Sequence, residues 1–485
     1  MNHKLVLVLI FLTPILSKGE IYYSHNGYFG AATIHRLSDG SIIKMPYRIF
    51  SYEPVLSVDN FNIVTNTALE FRLKDINNVF GSDFSFDVRE FYIEWITTLG
   101  DFSIGKQIII WGSASENNPT DNISPYNYYY LFSMGKEKKE GIFSLNSIVY
   151  LGDIKLNGIF IPQHNANIIP FDDSEFAISI PIVPKEEQIR KLKNPYEYGL
   201  SLHLPISSMD ITTSYFSGYD RIVSFSGVNL WTGQWSNPHA IKQDIVLSYR
   251  HTKMFGFGFS STYKDISYKG DLGYFITDDK TINTGDSTLY RYWESGIEQI
   301  IHDCDEYNET ASWEMDFEPI DCITDPKFNN SEIIDNTAKY FQFILEMEYS
   351  PTYDFNIIGQ ITGSHILDIG AADSIKTSEG TIIFDPNEYF IPGMGSSNTF
   401  ISSNSLSISA RKLLSNIGLE LRYTSMMDLD KKGSLHEIGI ENEINKNMKI
   451  LIAVNKIFDN EKYSENPFTG MEDFSHIRLE LKYYY

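Results

Sequence analysis

The sequence predicts an all-β fold, a closed antiparallel transmembrane β-barrel of about eighteen strands with long extracellular loops; sixteen strands is the alternative. Three observations predict it. Apolar and polar residues alternate with a period of two in segment after segment, the pattern of a strand with one apolar face. Short and long connections alternate between residues 83 and 485, as periplasmic turns and external loops do in bacterial barrels. The 485 residues include 31 Tyr and 32 Phe, which favour strands and membrane-interface girdles.

Met1-Asn2-His3-Lys4, the apolar run Leu5 to Leu16 and Ser17-Lys18-Gly19 read as a secretory signal peptide spanning 1–19. The apolar run falls short of the ~20 residues a membrane-spanning helix needs. Residues 20–485 then form one barrel domain in the bacterial outer membrane. Its strands are expected near 27–37, 44–52, 63–74, 83–98, 101–113, 141–151, 153–163, 197–205, 208–218, 242–262, 265–277, 338–350, 354–367, 402–411, 415–426, 434–444, 447–457 and 473–485. The first two have the weakest pattern, and they separate eighteen from sixteen. In 83–98 the phase switches, with Phe84, Phe86 and Val88 on one face but Phe91, Ile93 and Trp95 on the other, which predicts a bulge near Glu90. In 242–262, Ile245, Leu247 and Tyr249 stay in phase with Phe255, Phe257 and Phe259, which predicts one long strand projecting past the membrane.

The last strand alternates Ile477, Leu479, Leu481 and Tyr483 with Arg478, Glu480 and Lys482, and the chain ends on Tyr485. This resembles the C-terminal signature of outer-membrane barrels. It implies the barrel-assembly machinery as a partner of that strand, with outer-membrane lipid and lipopolysaccharide around the wall. Tight turns are expected near Gly100, Gly152, Ser207, Lys264, Thr352, Leu414 and Lys446, and long connections near 114–140, 164–196, 219–241, 278–337, 368–401 and 458–472. With both termini periplasmic, all the long ones fall outside the cell.

The formal net charge of -24 argues against a nucleic-acid partner, because such sites need basic patches. Mean hydropathy is -0.21, as expected where only alternate strand residues are apolar. Cys304 and Cys322 are read as one disulfide, worth ~3 kcal/mol by loop entropy. A thiol metal site is the weaker reading, since His302 is the only histidine close by. Residues 278–335 hold sixteen acidic against three basic residues. Asp303, Asp305 and Glu306 are weak calcium candidates without EF-hand spacing, and a solvated acidic surface is the plainer reading. No nucleophile elbow, His-Glu-x-x-His or phosphate-binding loop occurs, so neither an enzyme nor a cofactor is expected.

On the lumen side the alternation places Glu70 and Arg72 on one strand, Glu90 and Glu94 on another, and Lys106 or Gln107 on the next, with Arg89 and Asp210 as further lumen candidates. Such charges either brace the wall as ion pairs or set a transverse field for polar solutes. The segment from Trp111 to Tyr130 contains Asn118-Pro119, Ser124-Pro125 and the run Tyr126, Tyr128, Tyr129 and Tyr130. It is expected to fold back into the pore mouth as a constriction or ligand ledge; an exposed loop with an interfacial tyrosine belt is the alternative.

Asp87-Val88-Arg89-Glu90-Phe91-Tyr92-Ile93-Glu94-Trp95, Ile104-Gly105-Lys106-Gln107 running to Trp111-Gly112, and Asn118-Pro119 resemble the porin-like outer-membrane family catalogued as domain of unknown function thirteen-hundred-and-two. Glu197-Tyr198-Gly199-Leu200-Ser201, then Asp210 and the strand to Gly218-Tyr219-Asp220, agree further. Ser113 departs from the polar or Glu residue usual after Trp-Gly. The resemblance covers most of the mature chain, with its specific part at 87–119. It implies a porin-like barrel and, less firmly, passage of hydrophobic or lipid-like compounds. The expected function is a channel or facilitator for a small solute, hydrophobic or amphipathic ones included. The alternative is a non-conducting scaffold or binding barrel that docks an extracellular or periplasmic partner. Oligomeric state stays open.

Overall fold

The computed structural model describes residues 20–74, 83–130, 133, 135–171, 173–176, 184, 186–190, 192, 194–232, 241–278, 330–333, 337–370, 374–377, 380–383, 390–459, 468 and 470–485. Eighteen strands form one sheet: β1 (Ile21–Arg36), β2 (Tyr47–Val58), β3 (Phe61–Arg72), β4 (Asp83–Ile96), β5 (Gly100–Gln107), β6 (Ile142–Leu151), β7 (Ile154–Ile161), β8 (Glu197–Ile206), β9 (Met209–Tyr219), β12 (His251–Tyr263), β13 (Ile266–Asp278), β15 (Thr337–Thr352), β16 (Phe355–Gly370), β19 (Asn404–Leu414), β20 (Leu419–Asp428), β21 (Ser434–Asn445), β22 (Met448–Phe458) and β23 (His476–Tyr484). Each pairs antiparallel with its neighbour. The sheet closes where β1 meets β23, from Tyr28↔Tyr484 to Arg36↔His476. Closure leaves no open edge round the wall, a condition for crossing a membrane with strands.

The burial pattern is that of a soluble protein turned inside out. On β15, Leu345 and Met347 are 52% and 51% exposed, while Gln342 and Glu346 on the opposite face are 0% and 3% exposed. Leu479, Leu481 and Tyr483 of β23 are likewise exposed. An apolar outer face on a closed barrel of this size is that of an outer-membrane protein. Tight turns at 59–60, 97–99, 152–153, 207–208, 264–265, 353–354, 415–418 and 446–447 all lie at one end, the periplasmic end by the same rule.

The phase switch in β4 is a bulge: pairing with β3 shifts between Asn66 and Thr67, leaving Arg89 as the extra residue beside Glu90. The first two strands are present, and β1 begins at Ile21, earlier than expected. Two expectations are corrected. The segment 242–262 is two strands, not one: β11 (Ile241–Ser248) pairs with β10 (Ser224–Thr232), which also pairs with β14 (Asn330–Ile333), outside the barrel wall. The break falls at Tyr249-Arg250, where the Arg250 guanidinium donates to Asp220 Oδ2 at 2.7 Å and its carbonyl accepts from Asp220 N. The strand expected at 101–113 ends at Gln107, so Trp111 is off the wall. A small hairpin, β17 (Ser374–Thr377) with β18 (Gly380–Ile383), also lies outside the wall. The signal peptide, both cysteines and the calcium candidates Asp303, Asp305 and Glu306 lie outside the described residues.

Replacing Leu479 by Lys, a charge on the lipid side near mid-strand, is expected to cost about 2–4 kcal/mol. The midpoint of urea unfolding in lipid vesicles reports it. Ser407→Lys, on the lumen side of β19, should leave that midpoint near the parent value.

Candidate functional site: a segment folded into the barrel

Residues 108–140 leave the wall between β5 and β6 and enter the interior. Gly105, at φ +138°, twists the end of β5, a conformation that L side chains rarely adopt. Beyond it the backbone donors go to side chains instead of a neighbouring strand. Ile108 N–H donates to Glu90 Oε1 at 2.9 Å, Ile109 N–H to Ser124 Oγ at 2.8 Å and Trp111 N–H to Asp121 Oδ1 at 3.3 Å. Gly112, at φ +109°, lies against the Asn118 amide with no room for a Cβ.

The segment then reaches β13 and β15, six and seven strands round the wall from β5. The Asp271 carboxylate accepts from Ser113 N–H at 2.9 Å, Ala114 N–H at 2.7 Å and Asn118 Nδ2 at 3.1 Å. Glu346 accepts from Ser115 N–H at 2.9 Å and from Gln360 Nε2 at 2.7 Å, and Lys269 Nζ stands 3.0 Å away. Trp111 is buried among Ile123, Ile142, Phe216, Met254 and Phe275, and its indole donates to Asn157 Oδ1 at 2.8 Å. Tyr126 is buried too, with Lys139 Nζ 3.6 Å above its ring centre.

The return path crosses to β2, β3 and β4 through a 3-10 turn, Gly135–Lys138. Glu137 bridges two arginines, Arg48 Nη1 at 2.5 Å and Arg89 Nη1 at 3.3 Å. Arg89, which the bulge adds, also donates to Lys136 O at 2.6 Å. Arg48 lies 3.8 Å over the Tyr130 ring, and the Tyr130 hydroxyl donates to Glu70 at 2.8 Å. Glu90 is 3.4 Å from Lys136 Nζ, and Arg72 pairs with Asp173 at 2.6 Å. Burial alone would raise the Glu137 carboxyl, but Arg89 and Arg48 outweigh it and hold it below the usual carboxylate range.

Thus Glu70, Arg72, Arg89, Glu90, Trp111, Asn118 and Tyr126 all touch the inward segment or its supports. Glu94 stands apart, accepting from Asn62 at 2.9 Å. Lys106 pairs with Asp87 at 3.3 Å, and Gln107 is buried against Ser103 and the Ser144 carbonyl. Asp210 is remote from the segment, 3.5 Å from His203 near the periplasmic turn at 207–208. Sequence reasoning missed Asp271, Glu346, Arg48 and Glu137. One signal was present: the inward positions of β12 and β13 read Met254, Gly256, Gly258 and Asp271, Gly273, and glycine on a strand marks close approach of another backbone.

The rest of the interior is of two kinds. Towards the outside, Ile43, Met45, Tyr126, Tyr128, Phe176, Phe468, Met471 and Phe474 pack together from several external loops and the inward segment. On the wall from β20 to β23 an ionic ladder faces inward: Arg422 to Glu420 at 2.6 Å and Glu441 at 2.8 Å, Lys449 to Glu441 at 3.2 Å, and Arg478 to Glu437 at 3.3 Å. The side chains of Arg422, Lys449 and Lys482 are 41%, 39% and 37% exposed, so water reaches this side.

Fold and site together define an outer-membrane barrel of porin-like architecture narrowed by an inward segment. Similar solved structures are OccAB1 of Acinetobacter baumannii, at 6% identity and TM-score 0.45 over 96% of this chain and 98% of that one; OccK2 (OpdF) of Pseudomonas aeruginosa, at 6% and 0.44 over 96% and 97%; and in-vitro folded OmpT of Vibrio cholerae, at 10% and 0.38 over 97% and 99%. No protein-family model and no curated protein matches the chain.

Asp271→Ala should free Ser113, Ala114 and Asn118 from β13, while Glu346 still holds Ser115. A local loss of about 1–3 kcal/mol corresponds to amide exchange roughly ten- to hundredfold faster at Ser113 and Ala114, read by hydrogen exchange. The Glu137 bridge has the opposite pH sense from a histidine latch. Its carboxyl is held down in the folded state, so its contribution is complete above the ordinary carboxylate range and is lost only as pH falls through the lowered value. Protection at 135–139, taken as the intrinsic exchange rate at each pH divided by the observed one, should therefore stay flat from neutral pH to about pH 5 and fall only in stronger acid.

Proposed function

We propose that the protein is a porin-like channel that lets small solutes cross the outer membrane, its cross-section set by the segment 108–140. The observation that supports this reading is the uneven filling of the interior. The segment lies hydrogen-bonded against β13 and β15, while the ladder from β20 to β23 keeps charged side chains in contact with water. Whether the solutes include hydrophobic or amphipathic compounds, as the family resemblance implies, is part of the same proposal.

A second reading is a non-conducting barrel that binds a partner or ligand. The apolar cluster that joins the external loops to Tyr126 and Tyr128 favours it, since that packing lies across the way out of the lumen. Planar-bilayer recording separates the two. The channel reading expects stepwise currents from the full chain, and a larger unitary current when residues 113–139 are replaced by a short polar turn. A barrel that gives no steps, or a deletion that leaves step size and ion selectivity unchanged, overturns the constriction.

A further inference from the structure

Some buried charges in the described interior are held by partners that are themselves buried. Glu197, for example, is held by Arg221 at 2.9 Å and by His164 at 2.9 Å. The pair Arg48 and Arg89 differs. Both guanidiniums are buried, at 3% and 1% side-chain exposure, and they meet at a carboxylate that is itself 41% exposed, while Arg48 Nε also stands 3.3 Å from Glu70 Oε1. That carboxylate, Glu137, offers one oxygen to each arginine. Arg48 Nη2 and Arg89 Nε have no hydrogen-bond acceptor. Two guanidiniums sharing one carboxylate, with donors to spare, is the arrangement proteins use to hold a planar oxyanion.

The setting fits such a ligand. Arg89 is turned to this point by the β4 bulge, a device that re-aims side chains. The Tyr130 ring supports Arg48 from below at 3.8 Å. Lys136 is more than half exposed beside the turn, and the charge of Lys482 also acts on Glu137. Glu70 and Glu90 keep the cluster from carrying a bare excess of positive charge.

We propose that Arg48 and Arg89 form a binding site for the carboxylate group of a small solute, which Glu137 fills when no solute is present. An incoming carboxylate replaces Glu137 on the two guanidiniums and takes up their free donors. The displaced Glu137 moves into water, which its exposure already permits, and the 135–138 turn loses its side-chain tie to the wall. Arg89 still holds the Lys136 carbonyl at 2.6 Å and Arg48 the Glu137 carbonyl at 2.9 Å, so the turn stays in place while its side chain exchanges. The site needs no open passage, so its occupancy is measured apart from conductance.

The test is calorimetric titration of the full chain in detergent with succinate as probe, and chloride at matched ionic strength as the control. Glu137→Gln keeps the shape of the side chain but removes its charge, and so weakens the internal competitor. Its succinate affinity is expected to rise at least tenfold over the parent chain. Adding Arg89→Lys, which keeps the charge but not the planar fork, is expected to reverse most of that gain. Unchanged migration of the folded band without heating shows that each variant has formed its barrel. An affinity that does not change in Glu137→Gln, or a gain that survives Arg89→Lys in the folded double variant, overturns the proposal. Absence of current steps in the bilayer experiment bears on the channel reading alone and leaves this binding result to stand or fall by itself.

Discussion

Chain that leaves the wall of a membrane barrel still has to satisfy its backbone polar groups, and the interior of this protein is organised round that requirement. Strands satisfy one another through the closed ladder. The segment 108–140 lies outside the ladder; its own turns satisfy some donors, and those of Ile108, Ile109, Trp111, Ser113, Ala114 and Ser115 take side-chain acceptors. Asp271 and Glu346 supply them from the far wall, Glu90 from the near wall and Asp121 from within the segment, and Arg89 answers the carbonyls of the return turn. Charged residues on inward faces are therefore neither decoration nor waste. They replace the strand partners that the segment gave up.

The same requirement explains where room is made. A backbone can approach β12 and β13 because Gly256, Gly258 and Gly273 present no side chain there; a Cβ at Gly258 would meet Ser113 Oγ at 2.8 Å. Apolar packing then completes what hydrogen bonding begins. Trp111 and Ile123 bury themselves against Phe216, Met254 and Phe275 of the wall, so one side of the lumen becomes a protein core while the other keeps its water. The net charge of -24 says little about this division, because among the described residues inward charges such as Asp121, Glu197 and Asp220 meet an opposite partner at close range.

The alternation of residues was a sound guide to the strands because lipid outside and polar matter inside impose a period of two on every crossing. Loop parity was sound for a related reason, since the periplasmic turns join neighbouring strands directly. Where the reading went astray, the cause is physical. Ile245, Leu247 and Tyr249 keep phase with Phe255, but an apolar face packed on protein looks the same as one facing lipid. Val246 and Leu247 are both buried in a small sheet off the wall. The extension of β5 to residue 113 failed likewise: Ile108, Ile109 and Ile110 look like strand, yet the backbone donors of Ile108 and Ile109 turn to Glu90 and Ser124.

The sequence by itself determined the outer-membrane barrel, a count of eighteen or sixteen crossings, the orientation of its ends and the bulge beside Glu90, since each leaves a local, periodic trace. Only the tertiary structure decided that Trp111 to Tyr130 lies across the lumen, that Asp271 and Glu346 hold it, and that Glu137 joins Arg48 to Arg89. Those pairs are separated by tens to hundreds of residues and obey no period. Closure of the wall brings them together, and nothing local in the chain records which inward carboxylate will meet which returning backbone.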